Sequence, residues 1–374
     1  MQLDFDKYID EDNTLLKSEE ELFDQDDDDE TPPIDIIAFN ELRSCADLHR
    51  MYKSNQLTID PDFQRNLVWS AASKSKFIDS LAKQLPIPSM CISLDYKSDK
   101  RLVIDGLQRI STIVSFLNEE TWVLSNIKDI DVRLRGKTPN QIKNEYPEIF
   151  SKIENISIPI TVLRCNYTKK SHMQYLFTIF HRLNSGGNKL NNQEIRNCIY
   201  SGKFNNLLKE IASDEKSQEF FNYKNTPLSK SKPLHRSSYR YQFEELYLRV
   251  LAFSDRLDIY NGKLSSFLND FMDDNKNPND LILTDWKNNL LATLDIVYQD
   301  VRISKFSKSV VEAILFGVYK NLDNVNLKNS EYFIERVTEL RKDTNFSLVS
   351  LKEGLASKEK VKGRLGVALE IFRS

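Results

Sequence analysis

The sequence predicts an α/β domain followed by an all-helical domain. Short β-type runs alternate with helix-period segments up to about residue 200, whereas beyond that point apolar residues recur almost only at helical spacing. The 374 residues are enough for one large domain or two moderate ones. We therefore expect an acidic arm over residues 1–33, a mixed domain over residues 34–202 and a helical domain over residues 203–374.

The acidic arm carries most of the charge asymmetry of the chain. Residues 1–30 hold fourteen Asp and Glu and two Lys, whereas the rest of the chain holds 50 basic and 41 acidic residues. Self-repulsion and few apolar side chains predict that the arm is disordered. It is either a solubilising tail or a segment that covers a basic site in place of a polyanion, and composition leaves both interpretations open.

The amino-acid composition also indicates the cellular compartment of the protein. The four cysteines show neither Cys-x-x-Cys nor Cys/His spacing, which predicts free thiols in a reducing cytoplasm. No apolar run approaches the roughly 20 residues that cross a bilayer. The acidic N-terminus has neither the basic nor the apolar part of a signal peptide. We expect a cytoplasmic protein with no membrane partner.

The elements of the first domain follow from local periodicity and from turn residues. Prolines at 86 and 88 end one helical segment, and "KSDK" between two β-type runs is typical of a hairpin. The predicted elements are a helix over 39–53, an extended segment over 57–70, a helix over 71–85, strands over 89–96 and 101–105, a helix from Leu107, a strand over 158–165, and helices over 171–183 and from Asn191.

The motif "VIDGLQR" lies where a predicted strand passes into a helix. The free N–H groups and the positive dipole end at a helix start favour anions, and Gly106 permits a sharp turn. Arg109 and Gln108 can donate to phosphate oxygens, and Asp105 can bind Mg²⁺ or orient a water. Equally, Asp105 could cap the helix and pair with Arg109 in a purely structural role.

The motif "FHRLNSGGNKLNNQEIRN" spans residues 180–197. Gly186 and Gly187 supply positive-φ geometry and oriented N–H groups between two predicted helices. Arg182 and Arg196 add cations, and Glu194 is a candidate general base or metal ligand. The alternative is a capped helix–loop–helix with a Glu–Arg pair. Neither a Walker A loop nor G-x-G-x-x-G occurs in the chain.

The motif "FQRNLVW" places Arg65 between two aromatic residues. The aromatic rings could stack on a base beside a phosphate-binding arginine. The simpler interpretation is that Phe63 and Trp69 belong to the core and that only Arg65 contacts a ligand.

These three motifs, in this order, resemble the N-terminal domain of GmrSD-type restriction endonucleases over roughly residues 36–200. That family has a D-G-Q-Q-R box and belongs to the ParB/sulfiredoxin-like superfamily. The resemblance implies a nucleotide site that supports NTP hydrolysis coupled to DNA transactions, often in defence against phage or modified DNA. The positions that match are Arg65, Asp105, Gly106, Gln108, Arg109, Asn184, Gly186, Gly187, Gln193, Glu194, Arg196 and Asn197.

Two departures from the family pattern stand out. Leu107 replaces the first glutamine of the box, which removes two donors and an acceptor and predicts weakened activity or an altered nucleotide preference. Family members that cut DNA commonly carry an HNH-type nuclease, yet residues 201–374 contain a single histidine, His235. We expect a stand-alone member, so any cutting of DNA would need a partner chain or the ParB-like domain itself.

The sequence thus predicts a Mg²⁺-dependent NTPase that also binds DNA, a partner nuclease or a second copy of itself. Asp105, Arg109 and Glu194 are the expected catalytic residues, with Asp105 as the metal ligand. The other matched positions and Arg182 are expected to bind phosphates or nucleotide. Three alternatives remain open: a non-catalytic module in which nucleotide switches DNA or partner affinity, a nuclease that uses the ParB-like site directly, and a structural or scaffolding protein with a degenerate site.

Overall fold

The computed structural model describes residues 8, 12, 31–59, 69–118, 122–183, 190–221, 242–352 and 354–374. The chain divides into two compact units. We call Glu30–Asn191 the sheet unit, and Asn192–Ser374 together with Met1–Asp29 the helical unit. None of the helices in these ranges has both the length and the apolar character that crossing a membrane requires.

The sheet unit is built on a mixed five-stranded sheet with the order β1-β5-β3-β4-β2. The β1–β5 and β3–β4 pairs are antiparallel, whereas β5–β3 and β4–β2 are parallel. The "KSDK" segment joins β3 to β4 as the hairpin that the sequence predicts. The strands are β1 (Ile37–Ser44), β2 (Leu57–Thr58), β3 (Met90–Asp95), β4 (Arg101–Asp105) and β5 (Ser157–Cys165).

One face of this sheet is covered by helices that enclose the core, and we call it the helix-packed face. Met90 and Ile92 lie opposite Ile160 and Val162 on this face, and all four are buried. Branched and aromatic side chains from the covering helices complete the apolar cluster. The helices of the sheet unit are α1 (Cys45–Lys53), α2 (Ala71–Ala82), α3 (Leu107–Leu117), α4 (Pro139–Glu145), α5 (Pro147–Asn155) and α6 (Lys170–Leu183).

The described part of the helical unit contains α-helices and short 3-10 turns but no strand. Helix α13 is buried along most of its length and contacts three of its neighbours. The helices are α7 (Asn192–Ile199), α8 (Lys203–Ser213), α9 (Glu215–Phe220), α10 (Gln242–Arg256), α11 (Leu264–Asp274), α12 (Asp280–Val297), α13 (Lys308–Lys320), α14 (Ser330–Lys342) and α15 (Lys358–Arg373).

The predicted class, an α/β part followed by a helical part, is confirmed. The helix predicted over residues 39–53 is wrong for its first six residues, because Ile37–Ser44 forms strand β1 along the full length of β5. Helix α1 begins only at Cys45, where the Ser44 hydroxyl accepts the Asp47 N–H at 3.0 Å. Residues 192–202, which the sequence assigns to the mixed domain, belong to the helical unit.

Two residues of the acidic arm, Tyr8 and Asp12, are helical and contact other residues of the helical unit. Asp12 is fully buried, accepts the Ser307 N–H at 2.8 Å and pairs with Arg341 at 3.2 Å. The Arg341 guanidinium also lies 4.7 Å from the Tyr8 ring centroid. A buried guanidinium needs a counter-charge, so Arg341 holds one acidic residue of the arm, Asp12, in place. The remaining residues of the arm up to residue 30 lie outside the described ranges, so the disorder predicted for them stays a prediction.

Replacing Asp12 with alanine is expected to lower the free energy of unfolding by roughly 3–5 kcal/mol, because the buried Arg341 would lose its carboxylate. Urea unfolding of the full chain measures this loss. Asp295→Ala is the matched control, since Asp295 forms an exposed pair with Lys216 and should cost less than about 1 kcal/mol. Equal stability of the Asp12 variant and the wild type would contradict the anchoring role.

Candidate functional site

The junction of β4 and α3 carries the "VIDGLQR" motif in the sheet unit. Asp105 ends β4, Gly106 is the N-cap residue of α3 with φ 92°, and the helix begins at Leu107. No side chain in the described ranges caps this helix, so N–H groups of its first turn stay available. Their direction and the helix dipole favour an anion here.

Both the backbone conformation at position 106 and the neighbouring side chain of Met90 require a glycine there. A positive φ is costly for residues with a side chain, and a Cβ at this position would lie 2.5 Å from Met90 Cγ. Met90 is itself buried on the helix-packed face, so it has little room to move. The glycine therefore allows the strand to turn into the helix directly against the core.

Gly106→Ala is expected to lower the free energy of unfolding by at least about 2 kcal/mol, combining backbone strain with the Met90 clash. Gly136→Ala is the control for strain alone, because Gly136 has φ 64° and a Cβ there would meet no atom within 4 Å. That variant should lose about 1–2 kcal/mol. Thermal unfolding compares the two, and an equal loss in both would show that the contact with Met90 adds nothing.

Arg109 is held in place on three sides. Its Nη2 donates to Asp105 Oδ2 at 2.9 Å, and Nη1 donates to the Pro88 carbonyl oxygen at 2.5 Å. A longer bond of 3.4 Å joins Nη2 to the Ser89 carbonyl oxygen. The side chain is only 16% exposed, so the guanidinium is preorganised at the strand–helix junction rather than extended into solvent.

Asp105 forms the ion pair that the structural alternative predicted, but it does not cap α3, because Gly106 occupies the N-cap position. Its carboxylate is 36% exposed, and Oδ1 makes no hydrogen bond to any described residue. Cys91 lies opposite Asp105 in the ladder. Burial, together with the charge of Asp105, raises the pKa of the Cys91 thiol to about 12, so this thiol stays neutral and is not a nucleophile.

The two remaining side chains of the box point to different environments. Gln108 Oε1 accepts the Trp69 N–H at 3.4 Å, and the Trp69 ring packs edge-on against Phe77. Leu107 is half-buried and packs against the apolar core of the sheet unit. Position 107 therefore faces the core side of the junction, where a leucine is well accommodated.

The second motif is distributed over both units. Arg182 is exposed near the end of α6 in the sheet unit. Gln193, Glu194, Arg196 and Asn197 are all buried on α7 in the helical unit. Arg65, Asn184, Gly186 and Gly187 lie outside the described residues, so their predicted roles stay predictions.

Arg196 is a fully buried cation whose observed partners are protein groups. Its Nε donates to Asn269 Oδ1 at 2.9 Å, Nη2 donates to Ser265 Oγ at 3.3 Å, and Nη1 lies 3.2 Å from Glu245 Oε2. Burial lowers the pKa of Arg196, and the neighbouring Glu245 opposes this shift. These contacts favour a role in holding α7 within the helical unit, and the predicted phosphate contact of Arg196 stays a prediction.

Glu245 is the centre of a buried ion network that none of the three motifs indicates. Its Oε1 accepts from Arg249 Nη2 at 2.6 Å and from Lys308 Nζ at 3.0 Å, in addition to the Arg196 contact. Arg249 reaches Glu312 at 3.0 Å. Burial opposes ionisation, but Lys308, Arg249 and Arg196 together hold the pKa of Glu245 well below its usual range. Glu245 and Arg249, four residues apart in an apolar helix, were the available sequence signal.

The available carboxylates indicate how a metal ion could be bound. No group of three or more His, Cys, Asp or Glu side chains in the described ranges could enclose a metal ion. Asp105 nevertheless fits the way in which proteins bind Mg²⁺, which is through one or two carboxylates together with the phosphates of a substrate. All four cysteines are free thiols, and three of them are buried.

The comparisons with known proteins bear on the sheet unit and α7. Residues 46–201 match the family model described as the GmrSD restriction endonuclease, N-terminal domain. No curated protein and no solved structure matches the chain significantly. The matched region contains the β4–α3 junction, all of α7 and the segment between them. Over residues 46–201, this chain therefore matches the GmrSD N-terminal family, as the motifs predicted.

Proposed function

We propose that the sheet unit binds a nucleoside triphosphate at the β4–α3 junction and hydrolyses it with Mg²⁺, in a process coupled to DNA recognition or restriction. The family description names restriction endonucleases, and this context favours a role in prokaryotic defence against phage and foreign DNA. The ParB-like character of the domain is part of the same proposal.

The observation that carries the proposal is the position of Arg109. A preorganised guanidinium lies one turn inside a helix whose first N–H groups have no side-chain cap, directly after a glycine turn. Cation, free N–H groups and dipole all stabilise negative charge at one place. This combination supports phosphate binding more strongly than any single one of these features.

The chemistry requires little beyond positioning. Phosphoryl transfer to water depends mainly on holding the phosphates in line and neutralising charge on their oxygens. Arg109 would neutralise developing charge, while the N–H groups of α3 would orient the phosphate chain. Asp105 would hold Mg²⁺ through Oδ1, and that ion would supply charge neutralisation. The predicted catalytic role of Glu194, which lies on the helical unit, stays a prediction.

The test is phosphate release by the full chain with each of the four NTPs and Mg²⁺, with and without duplex DNA. We expect turnover of at least one NTP and a change in its rate when DNA is added. No release of phosphate from any NTP under either condition would contradict the hydrolytic part of the proposal.

A second function, nucleotide binding that only switches affinity for DNA or a partner, is favoured by the ion pair of Asp105. One of its two carboxylate oxygens is already occupied by Arg109, which leaves a single oxygen for a metal or a water. Saturable NTP binding without phosphate release, combined with a change in DNA affinity, would select this function over hydrolysis.

A further inference from the structure

A line of ladder partners crosses the sheet from the β4–α3 junction to the edge strand. Asp105 lies opposite Cys91, Cys91 lies opposite Thr161, and Thr161 lies opposite Asn40. Side chains of directly opposed residues point to the same face of a sheet. Since Met90 and Ile160 alternate with Cys91 and Thr161, this face is the one opposite the helix-packed face.

Three polar side chains on this face form a connected chain, which we call the polar row: Ser89, Thr161 and Asn40. The Thr161 hydroxyl donates to Asn40 Oδ1 at 2.9 Å and lies 3.3 Å from the Ser89 hydroxyl. No hydrogen bond to a described residue uses Asn40 Nδ2. Ser89 and Asn40 are both exposed, so the row offers donors and acceptors to a ligand.

The polar row is continuous with the proposed phosphate site through Ser89. The carbonyl oxygen of Ser89 accepts from Arg109 Nη2 at 3.4 Å, and its hydroxyl belongs to the row. One residue therefore contacts both the guanidinium at the junction and the next group along the sheet. The distance from β4 to β1 is three strand spacings, about 14 Å.

An apolar contact lies beside the far end of the polar row. Leu42 is directly opposite Pro159 on the same face, two residues along the ladder from the pair of Asn40 and Thr161. The Leu42 side chain is 70% exposed, so its apolar surface is open next to an amide. A nucleobase presents this combination of an apolar ring face and a polar edge.

We propose that the polar row, with Leu42 and Pro159, binds the nucleoside part of the NTP whose phosphates lie at Arg109. Ser89 and Thr161 hydrogen-bond the ribose hydroxyls, and Asn40 reads the polar edge of the base while Leu42 packs on its ring. This inference rests on the proposed function, because it assigns the remainder of the same ligand.

The experiment compares binding of each of the four NTPs with binding of inorganic triphosphate, by calorimetry on the full chain. Asn40→Ala and Thr161→Val should each weaken NTP binding about tenfold and leave triphosphate binding unchanged. Thr161→Ser keeps the hydroxyl and should bind NTP like the wild type. Asn144→Ala, an exposed asparagine on α4, is the matched control and should change neither affinity.

The outcomes separate the two proposals. Unchanged NTP affinity in both Asn40→Ala and Thr161→Val would overturn the inference while leaving the phosphate site intact. An equal loss of NTP and triphosphate binding would also overturn it, because the row would then act on phosphates or on the fold. A wild-type chain that binds triphosphate but shows no gain in affinity for any NTP overturns the nucleoside assignment. A wild-type chain that binds neither overturns the proposed function and this inference with it.

Discussion

Arg109→Ala is expected to lower kcat/KM for NTP hydrolysis by roughly 10²–10³-fold. In the wild type, Asp105 and the Pro88 carbonyl oxygen fix both Nη atoms of the Arg109 guanidinium. The cation therefore needs little reorganisation when charge develops on the phosphates. Phosphate release under steady-state conditions measures the effect. Arg109→Lys keeps the charge but loses the planar fork, and should recover only part of the activity.

Arg133→Ala is the matched control for this variant. Arg133 also forms a short-range pair with an aspartate, Asp131, but it lies in the loop before α4 rather than at the β4–α3 junction. It should leave kcat/KM unchanged. Wild-type turnover by Arg109→Ala would remove Arg109 from the proposed site, and with it the main support for the phosphate assignment.

Glu245→Gln is expected to lower the free energy of unfolding by roughly 3–5 kcal/mol, because the cations Arg196, Arg249 and Lys308 would lose their shared counter-charge. Urea unfolding with far-UV circular dichroism measures this change. Glu210→Gln is the control, since Glu210 forms an exposed pair with Lys287 and should cost less than about 1 kcal/mol.

The same carboxylate predicts a pH dependence. Its pKa in the folded state lies well below its usual value, which is about 4.3 for an unfolded chain. The stabilisation is therefore fully present above the unfolded pKa and is lost as the pH falls toward the folded pKa. The stability difference between the wild type and Glu245→Gln should shrink below about pH 4. A variant as stable as the wild type at pH 7 would contradict the role of the network.

The local parts of the fold were predictable from sequence, and the long-range pairings were not. The glycine turn from β4 into α3 was predicted because all its signals lie within seven consecutive residues. Residues 39–44 were predicted as helix because their strand conformation depends on β5, more than 110 residues away. The helical spacing of apolar residues in a short segment carries no information about a strand partner that is so distant in sequence.

At the candidate site, too, only the contacts between residues close in sequence were predictable. The pairing of Asp105 with Arg109 was foreseen from their four-residue spacing, whereas the contact of Arg109 with the Pro88 carbonyl oxygen depends on the loop before β3. Leu107, which departs from the family box, packs against the core. The buried position of Arg196 was also not predictable, because its partners Ser265 and Asn269 lie about 70 residues away.

The most direct test of the central claim, that the β4–α3 junction is a phosphate site, is a calorimetric titration of inorganic triphosphate into the full chain. We expect one saturable site in the wild type and in Arg133→Ala, and a loss of binding of about tenfold or more in Arg109→Ala. Binding of equal strength in Arg109→Ala and the wild type, or no binding to the wild type, would contradict it.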